Sequence, residues 1–293
     1  MLSLSVLALM AAEPDSGIAK KMLPLYIREA ESYSLAVESE PKNRLALKKE
    51  PIFEWLNPAR DKGQQGNIFL WLRDGRPAAL ACIFSHPHDK LPGRKIVHEL
   101  HALDSEKLLV KRDGLNQWKP ESGLARKELA GAAAPATTAG TRLLQMRRLA
   151  QEFTGYSVDR DRKRWELRLL PTPLYRYPTA KKGVVDGALF AYMSSAGTDP
   201  EMLLLIEARE KDGKLNWEYA CGRFSDWELH MLRKEKEVWS SVIDDENTFA
   251  HDALHLYRLF PEKIVADDGK VIGRFRQTPK VWWGELIPVA EEK

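Results

Sequence analysis

The sequence predicts an α+β protein of two tandem repeats, each an N-terminal helix packed on a four-stranded antiparallel meander, plus a C-terminal extension. Three observations predict it. The chain matches itself at a nearly constant offset, a helical apolar stripe opens each matching stretch, and the rest alternates polar and apolar residues between short turns. At 293 residues the chain is long enough for two domains of ordinary size. With 44% hydrophobic and 30% charged residues the composition is globular and excludes wholesale disorder. A formal net charge of +3 is close to balance, so nothing in the whole chain draws it to nucleic acid or an anionic membrane.

In chain order, residues 2–12 read LSLSVLALMAA and precede Glu13-Pro14-Asp15. An apolar run of this length suits a signal-peptide core and is too short to span a bilayer, although the basic n-region and a full Ala-x-Ala cleavage pattern are missing. Residues 1–12 are therefore read as a leader. No later apolar run is long enough to cross a membrane.

The first repeat is placed at 18–118 and the second at 141–240. A shift of 119 to 123 positions sets Pro51 on Pro173, Trp55 on Tyr177, Gly66 on Gly187, Phe69 on Phe190, Trp71 on Tyr192, Glu99 on Glu218 and Trp118 on Trp239. Alternating strands align by chance, but chance seldom places Pro, Gly and Trp landmarks in one order. Pro24 suits a first helical turn, with Leu25, Tyr26, Tyr33 and Val37 on one face. In the second repeat Thr141 is the expected N-cap of a helix striped by Leu143, Met146, Ala150 and Phe153. Strands are expected at 164–177, 187–194, 201–210 and 215–223, with extended chain to about 233. Asp74-Gly75, the stretch from Ser194 to Gly197 and the Lys211–Lys214 segment supply hairpin turns. Connections this short imply antiparallel neighbours.

Residues 119–140, with ELAGAAAPATTAG, read as a linker. The extension, 241–293, has no counterpart in the first repeat. It suggests a short helix at 249–257, a hairpin turning at Asp268-Gly269, and an edge strand in VWWGELIP. Cys82 and Cys221 both lie in apolar strand patterns. Export would permit a disulfide between them, while buried thiols are the commoner outcome.

At RWELRLLPTPLYRY (164–177), GALFAY (187–192) and GTDPEMLLLIEAR (197–209) the chain resembles a family of uncharacterised secreted proteins of planctomycete bacteria, and EPIFEWLNPAR (50–60) and HELHAL (98–103) are similar to that family's first half. The resemblance implies export and a bacterial origin, and carries over no catalytic residue. A helix followed by an antiparallel meander is also the order of cystatin and nuclear-transport-factor-like folds, an analogy of architecture alone.

The sequence holds no Gly-rich phosphate loop, G-x-S-x-G elbow, H-E-x-x-H or C-x-x-C motif. The best cluster is His86, His88, Glu99 and His101, with Asp89 beside it. Imidazoles plus a carboxylate suit zinc or another divalent metal, the only cofactor these residues suggest. In a strand His101 shares a face with Glu99, and His98 lies across the sheet from both. His251 and His255 form a second i, i+4 pair that a helix would set on one side. Glu166, Arg168, Glu207, Arg209 and Glu218 form a charged set that neighbouring strands can line into a polar sheet face. The basic set Arg147, Arg148, Arg160, Arg162, Lys163 and Arg164 lacks aromatic interleaving, so no nucleic acid is expected. The leading expectation is an exported, non-catalytic binding or scaffold protein of the cell envelope. A metal-dependent hydrolase-like enzyme using the first histidine cluster is the alternative, and a carrier of a small hydrophobic molecule is a third.

Overall fold

The computed structural model describes residues 16–58, 63–113, 115–178, 183–195, 197–242, 255–278 and 281–289. The proposed leader and most of the expected helix at 249–257 lie outside them. The first half runs α1 (Ser16–Glu31), β1 (Tyr33–Val37), β2 (Ala46–Asn57), β3 (Gln64–Arg73), β4 (Arg76–Pro87), β5 (Arg94–Ala102), β6 (Leu108–Arg112) and β7 (Leu115–Trp118). The second runs β8 (Lys127–Glu128), α2 (Ala139–Ala150), β9 (Phe153–Val158), β10 (Arg164–Leu169), β11 (Tyr175–Tyr177), β12 (Val184–Ser194), β13 (Met202–Lys211), β14 (Lys214–Arg223), β15 (Glu228–Arg233) and β16 (Lys236–Ser241). The extension adds β17 (Tyr257–Val265), β18 (Val271–Thr278) and β19 (Val281–Pro288).

The fold is α+β with antiparallel sheets and repeat-like helix and sheet units. The four-stranded meanders do not survive. The second half forms a nine-stranded sheet in the order β16-β15-β9-β10-β12-β13-β14-β8, with β11 also on β12. The first half contributes a three-stranded sheet, β1-β6-β7, and a seven-stranded sheet, β19-β18-β17-β5-β4-β3-β2. These are the same connectivity, with β1, β6 and β7 standing where β9, β15 and β16 stand. Two differences stand out: β1 meets the chain before β2 through an isolated bridge, Ala36 to Arg44, and the far edge carries β17, β18 and β19 where the second half has β8. The expected units omit β1 and β9, which are short and follow the helices directly, and β6, β7 and β16, which are also short; β15 falls in the chain expected to be extended to about 233. Phe153, assigned to the helical stripe, opens β9 instead.

Period-two alternation explains the layers. One face of the first sheet packs on α1 around Tyr26, Phe69, Trp71 and Ile96. One face of the second packs on α2 around Met146, Phe190, Leu204 and Trp217. The other two faces meet, with Ile68, Leu80 and Cys82 against Leu189, Leu203 and Leu205. The result is helix, sheet, sheet, helix, and each fully buried Leu or Ile in the middle layer adds roughly 1.5–3 kcal/mol. Cys82 sits in this middle layer and Cys221 on the α2 side, so the two thiols are free and buried in different cores.

Two helix starts differ from expectation. α1 begins at Ser16, so Pro24 lies inside the helix rather than in its first turn. Ile18 and Met22 extend the apolar stripe ahead of it and pack on the sheet, which offsets the lost backbone bond. The N-cap of α2 is Thr138, whose hydroxyl accepts the Thr141 N–H at 3.3 Å. Three turns are as expected: Asp74-Gly75 and Asp212-Gly213 have positive φ at both positions, the I′ pattern of tight hairpins, and Gly269 turns β17 into β18, whereas the turn expected from Ser194 to Gly197 is a longer connection, β12 ending at Ser194 and β13 beginning at Met202. β19 is the edge strand of the first sheet. The linker is not idle, since β8 pairs with the outer edge of β14. β17 does the same for β5, and thereby places the extension in the first half's sheet.

Candidate functional site

The two halves can be aligned residue by residue from strand register. Trp55 stands opposite Gly66 and Gly66 opposite Phe84. Tyr177 stands opposite Gly187 and Gly187 opposite Glu207. In both rows the aromatic ring lies across the glycine, where a Cβ would strike Trp55 or Tyr177. Continuing across the sheet, Phe84 faces Val97 and Cys82 faces Glu99, while Glu207 faces Glu218 and Leu205 faces Ala220. Glu218 thus corresponds to Val97, and the counterpart of Glu99 is Ala220, two residues from the pairing expected above. His101 corresponds to Gly222.

That last pair marks the centre of the interface. The His101 ring lies against Gly222, with its Cε1 3.0 Å from where a Cβ would stand, and its Nε2 accepts the Arg223 N–H at 3.2 Å. A position that touches its own counterpart is what a local two-fold axis requires. On either side of it, the two ends of the interface carry corresponding residues with different chemistry.

One end is filled. Glu207 is 1% exposed and accepts bonds from Arg76 at 2.6 and 2.7 Å, Arg126 at 3.0 Å and Tyr177 at 2.8 Å. Burial alone would raise its carboxyl, but Arg126 and Arg76 outweigh burial and hold it at about 2. The other end is open. There a cavity of about 280 Å³ is lined by Trp55, Phe84, Glu99, Asp199, Tyr257 and Leu259, among others. The correspondence is close: Trp55 stands for Tyr177, Phe84 for Glu207 and Asp199 for Arg76. Leu259, opposite Glu99, stands for Arg126 once the β8 register is carried one residue beyond Lys127. The four groups that plug one end are thus replaced by the walls of a cleft at the other.

In the cleft, Tyr257 donates its hydroxyl to Glu99 at 2.7 Å, and Trp55 tilts against Phe84 with ring centroids 5.7 Å apart. Asp89, Lys95, His86 and Asp226 also line it, and Asp226 pairs with Arg160 at 2.9 Å. The loop bearing Asp199 is tied to the first sheet by the Thr198 hydroxyl, which donates to the Leu56 carbonyl at 2.8 Å.

The first histidine cluster is only partly brought together. His86 and Glu99 line the cleft. His101 does share a face with Glu99, but it stands opposite Leu80, six residues along β4 from His86 and hence roughly 20 Å away. His101 is buried in the interface, and burial lowers its pKa to about 3. His88 turns into its own loop, where its Nδ1 accepts the N–H groups of Lys90 and Leu91. His98, on the α1 side, has Nδ1 2.6 Å from the Tyr33 hydroxyl. Among the described residues no three His, Cys, Asp or Glu side chains are grouped to hold a metal ion. His251 lies outside the described residues. His255 is described, and its carbonyl accepts the Trp118 indole N–H at 2.7 Å.

The polar sheet face divides. Glu166 and Arg168 are exposed, with Glu166 paired to Arg164 at 2.7 Å. Arg209 and Glu218 pair at 3.4 Å, and Glu207 is buried at the plug. Sequence reasoning missed Arg76 and Arg126, and on the cleft side Phe84, Asp199 and Tyr257. The repeat held the signal, because Phe84 stands where the second half has Glu207 and Asp199 where the first has Arg76.

A second groove, of about 540 Å³, lies beside α1 and the β17–β18 turn, lined by Ile18, Met22, Leu25 and Val265 and by the charged Lys21, Arg28, Arg94, Asp267 and Asp268, among others. No helix among the described residues is long and apolar enough to cross a membrane. The chain matches no protein-family model, and comparison with curated proteins and with solved structures returned no significant match.

Proposed function

We propose that the protein is an exported, non-catalytic binding module of the cell envelope whose two halves arose by tandem duplication, and that it takes a small ligand in the cleft between its sheets. The observation that carries the reading is the contrast between the two ends of the interface. One fold position is closed by an ion-pair plug, and its counterpart is a walled cavity with aromatic and carboxylate groups facing inward. Export rests on residues 2–12 and on the resemblance to planctomycete secreted proteins. A hydrolase built on His86, His88, Glu99 and His101 draws no support from their separation.

The test is a thermal-shift and NMR screen of the full chain against small metabolite-like compounds, with Leu259→Trp as the control that fills the cleft. Hits that Leu259→Trp abolishes support the reading, and hits indifferent to it remove the cleft from the argument. Fractionation of the native host, with mass spectrometry of the mature N-terminus, tests export.

The groove beside α1 favours the carrier as a second reading, since Ile18, Met22, Leu25 and Val265 give it apolar walls, with Lys21, Arg28, Arg94, Asp267 and Asp268 as its charged lining. Displacement of a fluorescent fatty acid, lost in Met22→Lys, would favour it over the cleft.

A further inference from the structure

We infer that the groove beside α1 takes an amphipathic carboxylate, a fatty-acid-like molecule whose head is bound by the guanidinium of Arg94. The inference rests on the second reading above, that this groove holds a small apolar molecule, and gives that molecule a charged end.

The two halves treat a buried arginine differently. In the second half Arg142, 6% exposed, reaches from α2 to the sheet and pairs with Asp186 at 2.9 Å. The first half also buries an arginine on the helix side of its sheet. Arg94 is 9% exposed and shares its face of β5 with Ile96, which packs toward α1. Its Nε donates to the Ser85 hydroxyl at 2.9 Å, and its Nη2 donates to the carbonyls of Gly63 at 2.6 Å and Ser85 at 3.0 Å. All three acceptors are uncharged. Among the described residues no carboxylate pairs with Arg94, and its Nη1 has no partner. Strand register sets Gln65 where Asp186 stands, each preceding the glycine that lies under a ring. Gln65 is neutral and faces Ser85 across the ladder, and its amide Nε2 is itself a buried donor without a partner. The first half thus keeps a buried arginine and lacks the aspartate that neutralises one in the second.

A buried guanidinium without a counter-charge is costly, and burial pulls Arg94 below the ordinary arginine pKa. The fold does not require it. The same register puts Leu215 at the position of Arg94 and Ala208 at that of Ser85. Arg94 lines the groove together with the four apolar side chains named above, and about 540 Å³ is within the range of small-molecule sites. Lys21 and Arg28 are offset there by Asp267 and Asp268, so the sign of the site falls to Arg94. A carboxylate receives a charge-assisted hydrogen bond from Nη1 and does for Arg94 what Asp186 does for Arg142, while its chain covers the apolar walls. A cationic head would add to an unpaired positive charge, and a neutral one would leave it unpaired.

Three ten-carbon probes isolate the head: decanoate, decanol and decylammonium, titrated by calorimetry into the full chain at low salt, below the concentrations at which they aggregate. Decanoate is expected to bind at least about tenfold more tightly than decanol, with decylammonium weaker than both. Arg94→Gln should weaken decanoate about tenfold and leave decanol within about twofold, a split that a merely structural arginine would not produce. Gln65→Glu keeps Arg94 and supplies the carboxylate from within. It should abolish the preference for decanoate and raise the unfolding temperature. A preference that survives both variants would overturn the role of Arg94. Equal binding of the three probes, all lost in the groove-filling Leu25→Trp, would overturn the carboxylate and leave the groove as a carrier site. No binding, or binding indifferent to Leu25→Trp, would overturn both. NOEs between Met22 and residues 2–12, or a dimer that Leu25→Trp dissociates, would give the groove to the chain itself and overturn the ligand.

Discussion

Replacing Glu207 with Gln removes one charge from the plug and leaves its shape. The carboxyl sits at about 2 in the fold against an ordinary 4.5. That difference of roughly 2.5 pH units is worth about 3 kcal/mol at about 1.4 kcal/mol each. Removal of one partner from a buried ion pair independently suggests about 3–5 kcal/mol, because Arg76 and Arg126 would be left buried without their counter-charge. A carboxyl depressed on folding contributes in full above its unfolded pKa and loses that contribution as pH falls through 4.5 toward 2. Urea unfolding followed by tryptophan fluorescence should therefore find Glu207→Gln destabilised by about 3 kcal/mol at pH 7, and by about half of that at pH 3. The triple variant Arg76→Met, Arg126→Met, Glu207→Leu should recover most of the loss, since apolar groups of similar volume replace buried ion pairs at little cost. A deficit under about 0.5 kcal/mol, or one equal at pH 3 and pH 7, would refute the electrostatic account of the closed end.

Three further outcomes are expected. Gly187→Ala and Gly66→Ala should each lower stability by about 1–3 kcal/mol in denaturant melts, because the new methyl displaces the Tyr177 or Trp55 ring; two neutral variants would remove the aromatic-over-glycine pairing as a shared device. Burial holds both thiols protonated, with Cys221 pushed up to about 12, so a chromogenic disulfide reagent should label neither in the native protein and both in denaturant. Labelling of Cys82 before unfolding would contradict its placement between the sheets, and labelling of Cys221 its burial on the α2 side. Tyr33→Phe removes the hydroxyl that stands 2.6 Å from the buried His98 Nδ1, and should cost about 1–2 kcal/mol by calorimetry, with the His98 ring resonances shifted.

Much of this was readable before any coordinates. Turn chemistry located the tight hairpins, because Asp-Gly at positive φ leaves few alternatives. The landmarks Trp55, Gly66, Tyr177 and Gly187 paired the halves correctly, since a ring lying over a glycine constrains two strands at once. What was lost depended on contacts distant in sequence. Glu99 and Glu218 look equivalent in the linear sequence, and only the ladder places Glu99 on Ala220. Glu207 reads as one charge on a wet face, because nothing near it in the chain announces Arg76 or Arg126. His86 and His101 look like neighbours on a hairpin, yet extended backbone carries them far apart.

The placement of β17 constrains how the molecule can be made. The flank of β5 stays open until about residue 265 has left the ribosome, so the first-synthesised half cannot reach its final form while the second is still being translated. A fragment ending near residue 240 would expose that flank as a template for pairing with other chains.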